Sequence, residues 1–211
     1  VMQLAVSAWF ANGLFTLWLG SIALALLFYF IPKLAETPLY SRALAVLGFW
    51  SLAAVGGFAC FYRGLPLPAW MVSAGMAATV VMLVPLLATL FNLWLTLGNA
   101  QLQRPSLLGY FKEALVFLAL SSVFAIFAAF VPELRLTLFG EGLEQFVLYG
   151  FVGLTLFGAI HYVVPRLTGV ENSRFVCLNG AMVTIGVLIY SGAFFAGGII
   201  QQHKFTDGAV P

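Results

Sequence analysis

Six apolar stretches, separated by short polar or proline-bearing breaks, set the pattern of this 211-residue chain. They run approximately over residues 8–31, 43–62, 69–97, 111–131, 146–164 and 175–200. A transmembrane helix needs about 20 consecutive, mostly apolar residues, and each stretch meets or nears that length. The breaks carry loop chemistry: Pro32 to Pro38, Arg63 to Pro68, Gln101 to Pro105, Pro132 to Gly142 and Pro165 to Ser173. Backbone groups find no partner in lipid, so spans of this kind are helices unless they close into a barrel. The in–out alternation of a barrel strand is missing. The pattern predicts an all-α, polytopic membrane protein with a single transmembrane domain over residues 1–211.

Polar residues inside the spans mark packing or passage. Asn12, Thr16, Asn92, Thr96, Ser121 and Ser122 are expected to bond across helices or to their own backbone, each contact giving about 0.6 kcal/mol. Pro85 is expected to kink the third span. Gly192 and Ala196, with Gly197 beside them, have the spacing of a close helix contact. No carboxylate falls in the middle of a span drawn with these boundaries, so the proton-relay acid of a pump is not expected. His161 is the one histidine within a span. It sits near an interface beside Tyr162, where an amphipathic ring is at home, and it is a weak heme candidate because no second ligand accompanies it. His203 lies beyond the sixth span, beside Lys204, and is expected to be solvated.

Composition sharpens this picture. The chain is 63% hydrophobic and 8% charged, against roughly 25% charged residues in soluble domains. Lys33, Arg42, Arg104, Lys112, Arg166 and Arg174 fall on one side of the predicted membrane; Arg63, Arg135 and Lys204 fall on the other. Cytoplasmic loops collect Lys and Arg, so the first, third and fifth loops are expected in the cytoplasm. Both ends then face outward, together with the acidic loop carrying Glu133, Glu141 and Glu144. The net charge of +2 reflects topology and does not point to nucleic acid. Cys60 and Cys177 lie within spans without CxxC or Cys/His spacing, and are expected to be buried small apolar residues rather than metal ligands. A first residue of Val, with no signal-peptide pattern before Trp9, is compatible with part of a longer chain.

Three motifs in order resemble one family. The run Tyr29-Phe30-Ile31-Pro32-Lys33-Leu34-Ala35-Glu36-Thr37-Pro38-Leu39-Tyr40-Ser41, with Phe49-Trp50 after it, resembles a cytoplasmic loop of the catalytic subunit of cbb-type cytochrome c oxidases, in the heme-copper oxidase superfamily. Pro85, Asn92 and Leu95-Thr96-Leu97 resemble a later helix, and His161-Tyr162-Val163-Val164-Pro165-Arg166-Leu167 resembles its Tyr-Tyr-x-x-Pro-Arg-Leu ending. The resemblance covers nearly all of residues 9–200 and corresponds to the sixth through eleventh helices of a twelve-helix subunit. It implies a multi-pass protein of the bacterial inner membrane, in contact with lipid and other respiratory-complex subunits, c-type cytochromes among the candidate partners through the acidic loop.

The family does its chemistry with histidines, and the resemblance implies where they would fall. Counting from Pro32 places the first copper histidine at Asn12. The adjacent copper pair falls near Cys60 and Phe61, and the cross-linked tyrosine at Gly56. Counting from Arg166 places the two heme histidines at Leu143 and Gln145. All five ligand positions are vacated. Asparagine and glutamine amides are poor substitutes for imidazole at a copper site, and leucine cannot ligate iron. The expectation is a non-catalytic subunit with a structural or docking role, with no heme or copper in this chain and heme carried by partner chains. Alternatives are part of a working catalytic subunit, or a lipid- or quinone-binding protein that reuses the scaffold. Bulky Phe and Leu are expected to fill the emptied pockets, since the chain has 21 Phe.

Overall fold

A computed structural model of the chain describes residues 2–59, 61, 67–98, 105–169 and 173–206. Among these residues the structure is helical throughout, with no strand. Helix α1 covers residues 2–35, α2 Arg42–Val55, α3 Ala69–Gly98, α4 Pro105–Phe130, α5 Phe139–Thr168 and α6 Ser173–Thr206. Five of the six are long and apolar enough to cross a membrane, while α2 is shorter. The second predicted span, 43–62, thus ends early as a helix. At Val55 the chain enters a turn through Gly56 to Ala59, where paired glycines disfavour continuation.

Two other boundaries shift for physical reasons. Helix α1 continues past Pro32 and ends one turn later, where Glu36 adopts the left-handed conformation (φ 53°) and its amide bonds Pro32 O. Helix α5 ends the same way: Gly169 (φ 72°) donates to Pro165 O. Both ends read Pro-basic-Leu, Pro32-Lys33-Leu34 and Pro165-Arg166-Leu167, and the cation in each last turn complements the helix C-terminal partial charge. Helices α4 and α5 also begin at 105 and 139 rather than 111 and 146. Glu113 then lies in the third turn of α4, and Glu141 and Glu144 in the first two turns of α5, none of them at the middle of a span. Glu113 accepts a hydrogen bond from Thr184 of α6 at 2.6 Å.

Helix α4 is the hub. It packs against α1, α3, α5 and α6, with Leu108, Phe111, Ala114 and Leu115 fully buried in the main apolar core. Of the expected contact at Gly192, Ala196 and Gly197, only Gly197 takes part among the described residues: a Cβ there would lie 3.5 Å from Leu138 Cδ1, while nothing lies within 4 Å of one at Gly192 and Ala196 is exposed. The close approach lies on another face of α6. A Cβ at Gly198 would sit 2.5 Å from Phe139 N, and one at Gly142 would sit 2.9 Å from Phe194 Cβ. The small residues at 192 and 196 did not mark the seam, which is set by Gly198 of α6 and Gly142 of α5.

The three motif segments meet. Asn92 is fully buried, accepts from Ser41 N at 2.9 Å and donates to Ser41 O at 2.7 Å. Thr96 Oγ1 accepts from Tyr40 N, and Thr96 O accepts from Thr37 Oγ1, both at 3.2 Å. The loop after α1 is thereby tied to the end of α3. Tyr162 packs edge-on against Phe30 at 4.9 Å, and both Arg166 and Lys33 lie over its ring, at 3.5 Å and 5.5 Å. One end of the bundle is held by these loop and cation–π contacts.

Candidate functional site

The other half of the bundle holds a partly open cavity of about 200 Å³ between α1, α3, α4 and α5, bordered by Leu52 and Ala59 from α2 and its following turn. Its polar lining is Asn12, Thr16, Thr79, Thr89, Ser121, Ser122 and Glu144. The rest is mostly aliphatic and aromatic: Leu24, Leu86, Leu118, Phe151 and Val152 lie along it.

Three of the helices around this cavity leave regular α-geometry, and each does so where it lines the cavity. In α1 the segment Gly13–Leu19 is π-helical and contributes Phe15, Thr16 and Leu19. In α5 the π-helical segment is Phe146–Gly153, contributing Val147, Leu148, Phe151 and Val152. Helix α3 is interrupted at Met82 between Ala69–Val81 and Leu83–Gly98, and contributes Thr79, Met82, Leu83, Pro85, Leu86 and Thr89. The cause in α3 is steric: the Pro85 ring collides with the carbonyl four residues back, that of Val81. The regular ladder is therefore interrupted at Met82, one turn before the proline, while Met82 keeps helical backbone (φ −59°, ψ −15°) and its N–H bonds Ala78 O. Irregular backbone at membrane depth is tolerated where it is buried in protein or lines a cavity, and π segments gather at functional sites.

The five expected ligand positions divide. Asn12 and Leu143 line the cavity. Asn12 is buried; its Nδ2 donates to Gly56 O at 2.7 Å, and its Oδ1 accepts from Thr16 Oγ1 at 3.2 Å. The Gly56 position has no room for a tyrosine: a Cβ there would lie 2.7 Å from Leu52 O and 3.0 Å from Leu17 Cδ2. Leu143 is buried within α5 rather than preceding it. Gln145, also inside that helix, is outside the cavity lining, and its buried Oε1 has no hydrogen-bond partner. Phe61 is buried beside Phe58, with ring centroids 6.3 Å apart. Cys60 lies outside the described residues. Cys177 is exposed, contrary to the expectation of a buried thiol, because its face of α6 is not covered by the described helices.

His161 is at the far end. Its ring stacks on Tyr110, centroids 5.3 Å apart, and its Nδ1 lies 2.7 Å from Phe157 O. His203 falls inside α6, which runs on to Thr206.

The resemblance implies heme and copper, and the donor set around the cavity does not fit them. Among the described residues its lining holds neither imidazole nor thiol, and the one soft donor among them is the Met82 thioether. A single thioether facing an amide and a leucine makes neither a dioxygen-copper site nor a heme axial pair. Among the described residues no group of three or more His, Cys, Asp and Glu side chains could hold a metal. The expected filling of the emptied pocket by phenylalanine and leucine does not occur in this space; phenyl rings pack together instead where α5 meets α4 and α6. Phe146 packs against Phe117, Phe124 and Phe195 at 4.7, 5.7 and 5.8 Å. The α1–α3–α4–α5 space stays open, so filling occurs on one side of α5 only.

Comparison with known proteins agrees with the three motifs. The sequence profile of the family described as Cytochrome C and Quinol oxidase polypeptide I matches residues 1–205. The chain is 27% identical over 208 residues to the Cbb3-type cytochrome c oxidase subunit CcoN1 of Stutzerimonas stutzeri, covering 93% of this chain and 44% of that protein. It is 24% identical to cytochrome c oxidase subunit 1 of Rhodobacter capsulatus, covering 94% and 39%. A cytochrome c oxidase subunit 1 homolog of Bradyrhizobium diazoefficiens is 26% identical, covering 92% and 37%. The chain therefore spans less than half the length of these relatives. A profile match over nearly its whole length, on a bundle of membrane-spanning helices, makes this chain a member of the cytochrome c and quinol oxidase polypeptide I family.

Proposed function

We propose that this chain is a non-catalytic, subunit-I-like membrane subunit with a structural or docking role in a respiratory complex of the cytochrome c oxidase type. What supports this reading is that Asn12 and Leu143, at positions where the family resemblance implies histidines, both line the cavity. The contacts made by the motif segments, Asn92 with Ser41 and Tyr162 with Phe30 and Arg166, are packing contacts. What resembles the family is thus the means of holding helices together. The basic residues place the loop after α1 in the cytoplasm and both ends outward, in a bacterial inner membrane. The exposed Glu133 and Glu141 then face the side where c-type cytochromes act, and a basic partner would be attracted to them in a salt-dependent manner.

The test is affinity purification from native membranes in mild detergent, followed by subunit identification and oxygen uptake. The expected result is co-purification of heme-bearing oxidase or cytochrome subunits, with no uptake by the chain alone. Oxygen uptake by the isolated chain, or purification without any redox subunit, would contradict the proposal.

A further inference from the structure

We infer that Lys33 and Arg166, where α1 and α5 end side by side, form a binding site for the phosphate of an anionic phospholipid. The chemistry recognised is an oxyanion with several acceptor oxygens, which free phosphate shares; the apolar surface leading to the two cations selects the lipid. The site lies away from the cavity and is independent of whether the chain has redox chemistry of its own.

The two cations converge on one ring. Tyr162 is buried and held edge-on by Phe30 at 4.9 Å. Arg166 of α5 stacks on it, with Cζ 3.5 Å from the ring centre, and Lys33 Nζ of α1 lies 5.5 Å from the same centre. Lys33 is held from a second side, because Nζ donates to Tyr29 Oη and lies 4.6 Å from the centre of the Tyr29 ring. Two exposed side chains from different helices are thus fixed in place by aromatic contacts, which surface lysines and arginines ordinarily lack.

Like charges brought together repel, and among the described residues neither cation meets a carboxylate. Arg166 gives an N–H from Nη1 to Tyr162 O at 2.8 Å, and Lys33 gives one to Tyr29. One such donor serves a helix end; the rest of the guanidinium fork and of the ammonium stays open. A guanidinium matches phosphate oxygens two at a time, and an ammonium adds a point charge beside it. Each cation also ends an exposed apolar stripe: Ile22 and Tyr29 lead to Lys33 along α1, and Ile160 and Val163 lead to Arg166 along α5. Basic pockets between membrane-spanning helices take anionic headgroups, and these stripes lie where the acyl chains of such a lipid run. A soluble anion leaves them unused.

The test uses the full chain in phosphatidylcholine vesicles that carry a trace of phosphatidylglycerol with a diazirine midway along one acyl chain, with cross-linked peptides mapped by mass spectrometry. Label is expected on the Ile22 to Tyr29 and Ile160 to Val163 stripes above the level at the exposed Leu178 and Met182 of α6. Unlabelled phosphatidylglycerol should displace it, and inorganic phosphate should not. Lys33→Gln and Arg166→Gln should each lower this labelling about fivefold, the weight of one basic residue at an anionic surface. Arg166→Lys, which keeps the charge and loses the fork, should lower it about twofold. Arg42→Gln and Arg174→Gln, which remove exposed cations outside the Tyr162 contact, should change it less than about twofold. Thermal midpoints in detergent should be unchanged in all five, since the altered side chains are exposed. Equal losses from Lys33→Gln, Arg166→Gln, Arg42→Gln and Arg174→Gln would reduce the effect to a diffuse attraction and overturn the site, as would labelling no higher on the two stripes than on α6. Displacement by inorganic phosphate as effective as by the lipid would overturn the assignment to a phospholipid.

Discussion

Asn92 shows how one residue holds this architecture. Its amide is fully buried and bonds both the N–H and the C=O of Ser41, and no shorter or apolar side chain does both. Asn92→Leu is expected to destabilise the bundle by about 1–3 kcal/mol, the cost of leaving buried backbone groups unmet, visible as a lower thermal midpoint in detergent. Ser191 presents the opposite case. It is fully buried, and its Oγ lacks a hydrogen-bond partner, so Ser191→Ala removes an unmet group and should raise the midpoint slightly. A large fall would mean that the hydroxyl is bonded in the membrane. At this scale the sequence was informative about polar residues that serve packing: Asn12, Thr16, Asn92, Thr96, Ser121 and Ser122 all bond as expected. It was uninformative about Cys177, whose exposure depends on what else covers α6.

Among the elements, the seam between α5 and α6 is the most sterically constrained. A side chain at Gly198 meets the backbone of Phe139, which cannot rotate away as a side-chain end can. Gly198→Val is therefore expected to cost about 1–3 kcal/mol through overpacking. Gly192→Val, with nothing within 4 Å, should leave the midpoint nearly unchanged. Equal effects of the two would contradict the assigned seam. Helix existence and order were legible from hydropathy, because 20 apolar residues admit few alternatives in lipid. Boundaries were less so: α4 and α5 start through residues such as Ser106, Glu141 and Glu144 that read as loop on composition alone. The π segments Gly13–Leu19 and Phe146–Gly153 had no sequence signature, since a change in hydrogen-bond register leaves hydropathy untouched. Pro85 did announce a defect in α3, but not that the break falls at Met82.

Over the whole molecule, the segments that resemble the family in sequence meet at one end of the bundle, and the opposite half holds Asn12 and Leu143 where the resemblance implies histidines. The cavity could not be read from the sequence, because it arises where three irregular helices converge rather than from any run of residues. The positions where the resemblance implies histidines could be counted along the sequence, and two of them, Asn12 and Leu143, line one space. The central claim is that this space serves a subunit without redox chemistry of its own. Its most direct test is a pyridine hemochrome assay with an optical difference spectrum on the purified chain. The account predicts no heme in stoichiometric amount with the chain. One heme per chain, bound tightly enough to survive purification, would contradict it.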